Sequence, residues 1–170
     1  NADVAIRCGR VTDGALVVRK ISDLEWVICA APAYLERRGT PRAPSDLKDH
    51  DCLIMTTGPT HKRWPFRAST GVDFVEITPR VSVADGEALL RLALEGAGII
   101  RLSEVIVGAP IRAGQLVPLL TDVHHIEPLQ LSAVYLAGRH RLPKVRVFLD
   151  FLIERFGHAP WRTSPAVTAE

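Results

Sequence analysis

His50-Asp51-Cys52 sets an imidazole, a carboxylate and a thiol side by side, the residue types of a nucleophile activated by a base. Cys52, however, opens the apolar run Cys52-Leu53-Ile54-Met55, which reads as a buried strand, and His50 follows a one-turn helix. The trio therefore reads as structural. Gly96-Ala97-Gly98 raises a second possibility, a phosphate loop. A dinucleotide loop needs G-x-G-x-x-G after a strand and before a helix, so that the helix N-terminus meets the pyrophosphate. Here the glycines follow a helical run and precede a strand. Gly96 reads as a helix-ending glycine in left-handed conformation, and Gly98 as a point of close packing. The chain contains no G-x-x-x-x-G-K-[ST], C-x-x-C, H-E-x-x-H or G-x-S-x-G, the spacings of phosphate, metal and nucleophile-elbow sites. His124 and His125 are neighbours and on a strand point to opposite faces. The expectation is no catalytic centre, no metal site and no cofactor.

A second set of residues suits holding a small molecule. In open α/β sheets, ligands sit beyond the carboxyl ends of parallel strands. Strands ending at Arg7, near Met55 and at Ala84 present Arg7, Cys8 and Gly9, then Thr56, Thr57 and Gly58, then Asp85 and Gly86. Arg7 offers a guanidinium suited to carboxylates, and Thr56 and Thr57 offer hydroxyl donors. The helix opening at Gly86 offers free N–H groups and the positive end of its dipole. Asp85 opposes an anion: as an N-cap it occupies one of those N–H groups, and its charge repels. Arg7 could equally pair with Asp3, Asp13 or Asp23.

The elements that must position these residues follow from the pattern of the chain. Strands are expected at Asp3–Arg7, Leu16–Ile21, Glu25–Ala30, Cys52–Met55, Arg80–Ala84, Ile99–Leu102, Gln115–Leu120 and Leu129–Leu136. Arg63–Arg67 and Val72–Ile77 read as a hairpin-like pair adding antiparallel strands to one sheet. Pro32 opens a short helix closed by Gly39, Ser45 caps a single turn, and Ser103 caps a helix that Pro110 ends or kinks. After Pro143, the positions Val145, Phe148, Leu149, Leu152, Ile153 and Phe156 make one apolar helical face that stops at Gly157. His158–Glu170 has little periodicity and reads as a frayed tail. Strands alternating with helices make the class α/β.

Composition narrows the function classes. Of 170 residues, 47% are apolar, enough for a core, and the net charge of +2 is too weak for a nucleic-acid surface, which needs clustered Lys and Arg. No apolar run approaches the roughly 18 residues of a membrane span. Three widely spaced cysteines, Cys8, Cys29 and Cys52, fit buried free thiols in a reducing cytoplasm better than disulfides.

An ordered series of motifs resembles the effector-binding domain of LysR-type transcriptional regulators, in the style of their CrgA-like branch. It runs Asp3-Val4-Ala5-Ile6-Arg7 with Gly9, Ala31-Pro32-Ala33-Tyr34-Leu35, His50-Asp51-Cys52-Leu53 and Trp64-Pro65-Phe66. It continues with Asp85-Gly86-Glu87-Ala88, Gly96-Ala97-Gly98-Ile99, Gly114-Gln115-Leu116-Val117 and Pro143 through Leu152. The resemblance covers residues 3 to about 157 and implies a type 2 periplasmic-binding-protein-like fold of two α/β lobes. Residues 1–21 would end the opening section of the first lobe and cross over, 22–122 would form the second lobe, 123–157 would return to the first, and 158–170 would be a flexible tail. Two parts of the family pattern have no counterpart: the DNA-binding winged helix-turn-helix and the opening section of the first lobe. The expectation is thus a chain truncated at its N-terminus, with an incomplete first lobe and exposed sheet edges that favour self-association. The resemblance implies a cytoplasmic regulator, not an enzyme, whose small polar or anionic effector sits between the lobes. DNA would be bound only through the missing domain. A solute-binding protein of a transporter is the alternative with the same fold.

Overall fold

The computed structural model describes residues 2–9, 11, 13–56 and 62–162. In chain order the elements are β1 (Ala5–Cys8), β2 (Leu16–Leu24), β3 (Trp26–Ala30), α1 (Pro32–Arg38), a 3-10 turn (Pro44–Asp49), β4 (Cys52–Met55), β5 (Arg63–Ala68), β6 (Gly71–Glu76) and β7 (Pro79–Val83). There follow α2 (Gly86–Leu94), β8 (Ile99–Ser103), α3 (Glu104–Arg112), β9 (Val117–Pro118), β10 (Leu129–Leu136), a 3-10 turn (Arg139–Arg141) and α4 (Pro143–Phe156). They divide into two compact units, one of Asn1–Glu25 with Pro128–Arg162 and one built on Trp26–Glu127.

The Trp26–Glu127 unit holds a five-stranded sheet in the order β7-β4-β8-β3-β9. β4 runs parallel to β7 and β8, while β3 is antiparallel to β8 and β9. Successive strand residues face opposite sides, and both sides are apolar here. Cys29, Leu53, Ile100 and Leu102 meet Leu89, Ala93 and Val107 of α2 and α3. Ile28, Ile54 and Ile99 meet Tyr34, Leu47, Trp64 and Phe66 on the other side. A fully buried Leu, Ile or Val of this kind stabilises by about 1.5–3 kcal/mol, so the two layers lock the sheet in register. Gly98 marks the closest backbone approach: a Cβ there would lie 2.0 Å from the Asp51 carbonyl oxygen, the atom that accepts the Ile99 N–H at 2.9 Å. Gly96, at φ +72°, is left-handed, as its place after α2 predicts.

The other unit holds the antiparallel sheet β1-β10-β2. Val145, Leu149 and Leu152 of α4 pack with Ile21, Ala133 and Tyr135. A bulge between Leu131 and Ser132 shifts the β10–β2 register.

Several expectations need correction. β5 and β6 form a two-stranded sheet of their own, not an extension of a larger one. Ser45 does not cap its turn; the Asp46 carboxylate does the capping, accepting the Arg42 and Ala43 N–H groups at 2.8 and 3.0 Å. Ser103 occupies the N-cap of α3 without a side-chain bond, and Pro110 lies inside that helix, which runs on to Arg112. β9 is only two residues long. Phe148, expected in the α4 stripe, is 43% exposed. Cys8 is exposed, unlike Cys29 and Cys52. The chain beyond Gly157 is not frayed through residue 162: Ala159 and Trp161 are buried with Leu24, and Trp161 stacks on Phe156 with ring centres 6.1 Å apart.

Candidate functional site

The parallel pair β4–β7 brings two of the expected positions together. The Thr56 N–H donates to the Val83 carbonyl at 2.7 Å, and the Thr56 hydroxyl lies 3.4 Å from the same oxygen. Thr56, exposed, therefore lies beside the turn into α2. Asp85 caps that helix, its two carboxylate oxygens accepting the Glu87 and Ala88 N–H groups at 3.2 and 3.4 Å. Two of the first-turn donors are thus occupied, and the N-terminus of α2 presents a carboxylate rather than an empty anion hole. Gly86 serves packing: a Cβ would lie 3.3 Å from Ile106 and 3.7 Å from the Met55 sulfur. Thr57 and Gly58 lie outside the described residues. Arg7 and Cys8 are exposed on β1, whose partner β10 is antiparallel. The parallel-strand rule that singled them out therefore has no purchase on that sheet. The Cys8 thiol is pushed up by desolvation.

His50-Asp51-Cys52 forms no nucleophile. The Tyr34 hydroxyl accepts the Asp51 N–H at 2.8 Å and stands 3.0 Å from His50 Nδ1, to which it can donate. Asp51 pairs with Arg80 at 2.9 Å. Cys52 Sγ points to the Leu47 carbonyl at 3.6 Å, and burial, with the Asp51 charge second, pushes its thiol up to about 12. A thiol so hard to ionise is inert. Among the described residues, no three His, Cys, Asp or Glu side chains are placed to hold a metal ion. No described helix is long and apolar enough to cross a membrane.

The carboxyl end of β8 holds a polar group that the motif reading did not single out. Arg101 is 7% exposed, and its Nε donates to His124 Nε2 at 3.1 Å. Its guanidinium carbon lies 4.9 Å from the centre of the Trp26 ring, a cation–π contact. Its Nη2 is buried with no acceptor among the described residues, and so is the Ser103 hydroxyl. A buried donor left unpaired costs about 1–3 kcal/mol, more for a charged group. Burial lowers Arg101 to about 10, against a raising effect of Glu127, so it stays cationic at neutral pH. Burial first, then Arg101, His125 and Arg67, push His124 down to about 3. The ring is therefore neutral, with its proton on Nδ1 and Nε2 free to accept. The available sequence signal was one arginine inside the apolar run Ile99-Ile100-Arg101-Leu102. A strand position buried on both faces takes a charge only for a reason.

These features define an α/β domain that offers polar groups at the carboxyl ends of parallel strands, without catalytic or metal-binding clusters among the described residues. The sequence matches the LysR substrate binding domain family over residues 1–157, and the chain belongs to that family. It is 34% identical over 156 residues to the HTH-type transcriptional regulator CrgA of Neisseria meningitidis serogroup B, covering 92% of this chain and 52% of that protein. It is 30% identical over 153 residues to the transcriptional activator TtdR of Escherichia coli K12, covering 89% and 49%. The chain spans about half the length of these relatives. Among solved structures, the CrgA regulatory domain superposes with a TM-score of 0.84 at 34% identity, covering 90% of this chain and 74% of that one. Full-length AphB of Vibrio cholerae gives 0.76 at 27% identity, covering 90% and 51%. The chain is thus a LysR substrate-binding domain with the α/β, periplasmic-binding-protein-like fold of that family, and the relatives it matches are transcriptional regulators.

Proposed function

We propose that this domain senses a small polar or anionic molecule and, by binding it, controls transcription through a separate winged helix-turn-helix domain that contacts DNA. The observation that carries this reading is the Thr56–Val83 bond, which sets a hydroxyl beside the Asp85-capped start of α2 at the carboxyl ends of two parallel strands. Thr57 and Gly58 follow Thr56 in sequence and belong to the proposed site; Arg7 and Cys8, exposed on β1, are proposed as effector contacts of their own unit on the family resemblance alone. The action is a switch and not a turnover: an effector bound more tightly by one state of the domain shifts the population toward it. The domain acts in the cytoplasm, without a cofactor, as part of a homodimer or larger assembly.

The test uses the full-length regulator and its operator DNA. Anisotropy of labelled operator is followed while a library of small polar metabolites, anionic and neutral, is added. At least one compound is expected to change operator affinity severalfold, and Thr56→Val is expected to blunt that change while leaving effector-free affinity in place. If no compound alters operator binding, the sensing role fails.

A further inference from the structure

We infer that Arg101 and Ser103 form a subsite for the carboxylate of a small organic acid in the Trp26–Glu127 unit. This rests on the sensing role proposed above and names the chemistry of the ligand. Arg101 and Ser103 are two residues apart on β8, so they share one face of the strand, opposite Ile28 and Trp26 of β3. Each is 93% buried (7% exposed), and each leaves one polar atom, Nη2 and Oγ, without a partner. The Ser103 hydroxyl ends the strand at the start of α3 and does not cap it, so it remains a free donor beside first-turn N–H groups.

The donor set selects the ligand. Arg101 makes no ion pair among the described residues; its one hydrogen-bonded partner, His124, is neutral. A guanidinium N–H and a hydroxyl match the two oxygens of one carboxylate, in charge-assisted bonds. Glu127 acts on Arg101 with negative charge, and Glu104, buried, adjoins Ser103. A singly charged acid suits that balance better than a phosphate dianion.

The position gives the binding a consequence. Arg101 touches Trp26, the first residue of the unit, and His124, three residues before its last, Glu127. One side chain therefore grips the chain where it enters and where it leaves. Both free donors are shielded from solvent, so a carboxylate reaches them by shifting a neighbouring group. Binding and rearrangement are one event, as a sensor requires.

The experiment titrates the protein with acetate, hexanoate and benzoate, and with hexanamide and benzamide as uncharged counterparts. Melting temperature is followed together with the NMR signals of the Arg101 Nε–H and the Trp26 indole N–H. At least one carboxylate is expected to raise the melting temperature saturably and to move both signals, with its amide at least about tenfold weaker. Arg101→Met should abolish the response and Ser103→Ala should weaken it by about three- to tenfold. If Arg101→Met does not fold, the wild-type NMR shifts and Ser103→Ala decide. A carboxylate that binds without moving the Arg101 signal, or equally well to Arg101→Met, overturns the subsite and leaves sensing standing. An amide that binds as tightly as its acid overturns the carboxylate class and again leaves sensing standing. Silence toward every carboxylate overturns the subsite, while the operator assay separately decides sensing.

Discussion

The two units solve the same burial problem differently. In Trp26–Glu127 the sheet has apolar layers on both faces, and Cys29, Leu53, Leu89, Ile99 and Ile100 are fully buried. In the unit of Asn1–Glu25 and Pro128–Arg162, β2, β10 and α4 share one cluster and Leu24, Ala159 and Trp161 form a smaller one, while α4 leaves Val147 68% and Phe151 53% exposed, and Ile6 and Leu136 are exposed on their strands. A sheet with two apolar layers completes its own core. A sheet whose helix turns an apolar face outward keeps surface of the kind that interfaces use.

The largest way to break this contrast is Gly98→Ala. A Cβ 2.0 Å from a backbone carbonyl has no flexible neighbour to move, so a loss of about 3 kcal/mol is expected in urea denaturation. A loss under 1 kcal/mol would mean that the covered unit yields more readily than its packing implies. Acid comes next. A histidine held neutral by burial takes up its proton less readily when folded, so the stability tied to His124 is complete above pH 6.5 and is lost as pH falls toward about 3. The slope is up to about 1.4 kcal/mol per pH unit for one proton. Asp46, held low by the Arg42 and Ala43 N–H groups, and Asp3, held low by Lys144, also lose stabilisation in acid, below the ordinary 3.8. His124→Gln should therefore flatten the urea midpoint between pH 6.5 and 4.5, above the range where Asp46 and Asp3 titrate, and lessen the fall from there toward about 3; an unchanged slope refutes the neutral ring.

Asp85→Ala should cost about 1 kcal/mol through the lost cap, whereas Asp85→Asn should cost only a few tenths. Thermal melts of the pair sharpen the site, because equal losses would assign the role to charge rather than to hydrogen bonding. Smallest in stability is Val147→Lys with Phe151→Lys, expected within about 0.5 kcal/mol of the parent since both side chains are exposed. Sedimentation velocity should show weaker self-association; unchanged association would clear α4 of that role.

Strong periodicity made much of the fold legible. β10 runs over Leu129–Leu136 and α4 starts at Pro143 as the pattern predicts, because a long alternating run and a proline-led amphipathic run each admit one reading. The C-terminal segment misled because two aromatic residues carry no period: Trp161 packs by stacking on Phe156, a contact between a helix and the chain after it. The Asp85 cap was legible from its place before Gly86. Arg101 was not, since a lone charge in an apolar strand gains meaning only when His124 and Trp26 are brought beside it, 23 residues downstream in one case and across the β3–β8 ladder in the other.

The Tyr34 hydroxyl has a mechanical meaning. It holds the Asp51 N–H, just before β4, while the Ile99 N–H, next to Gly98, holds the Asp51 carbonyl. β4 is thus a bar held just before Cys52 and tied, one residue past Met55, to β7 through the Thr56–Val83 bond. A push delivered at Thr56 has no axial slack to take it up and must be passed sideways, into β7 and β8.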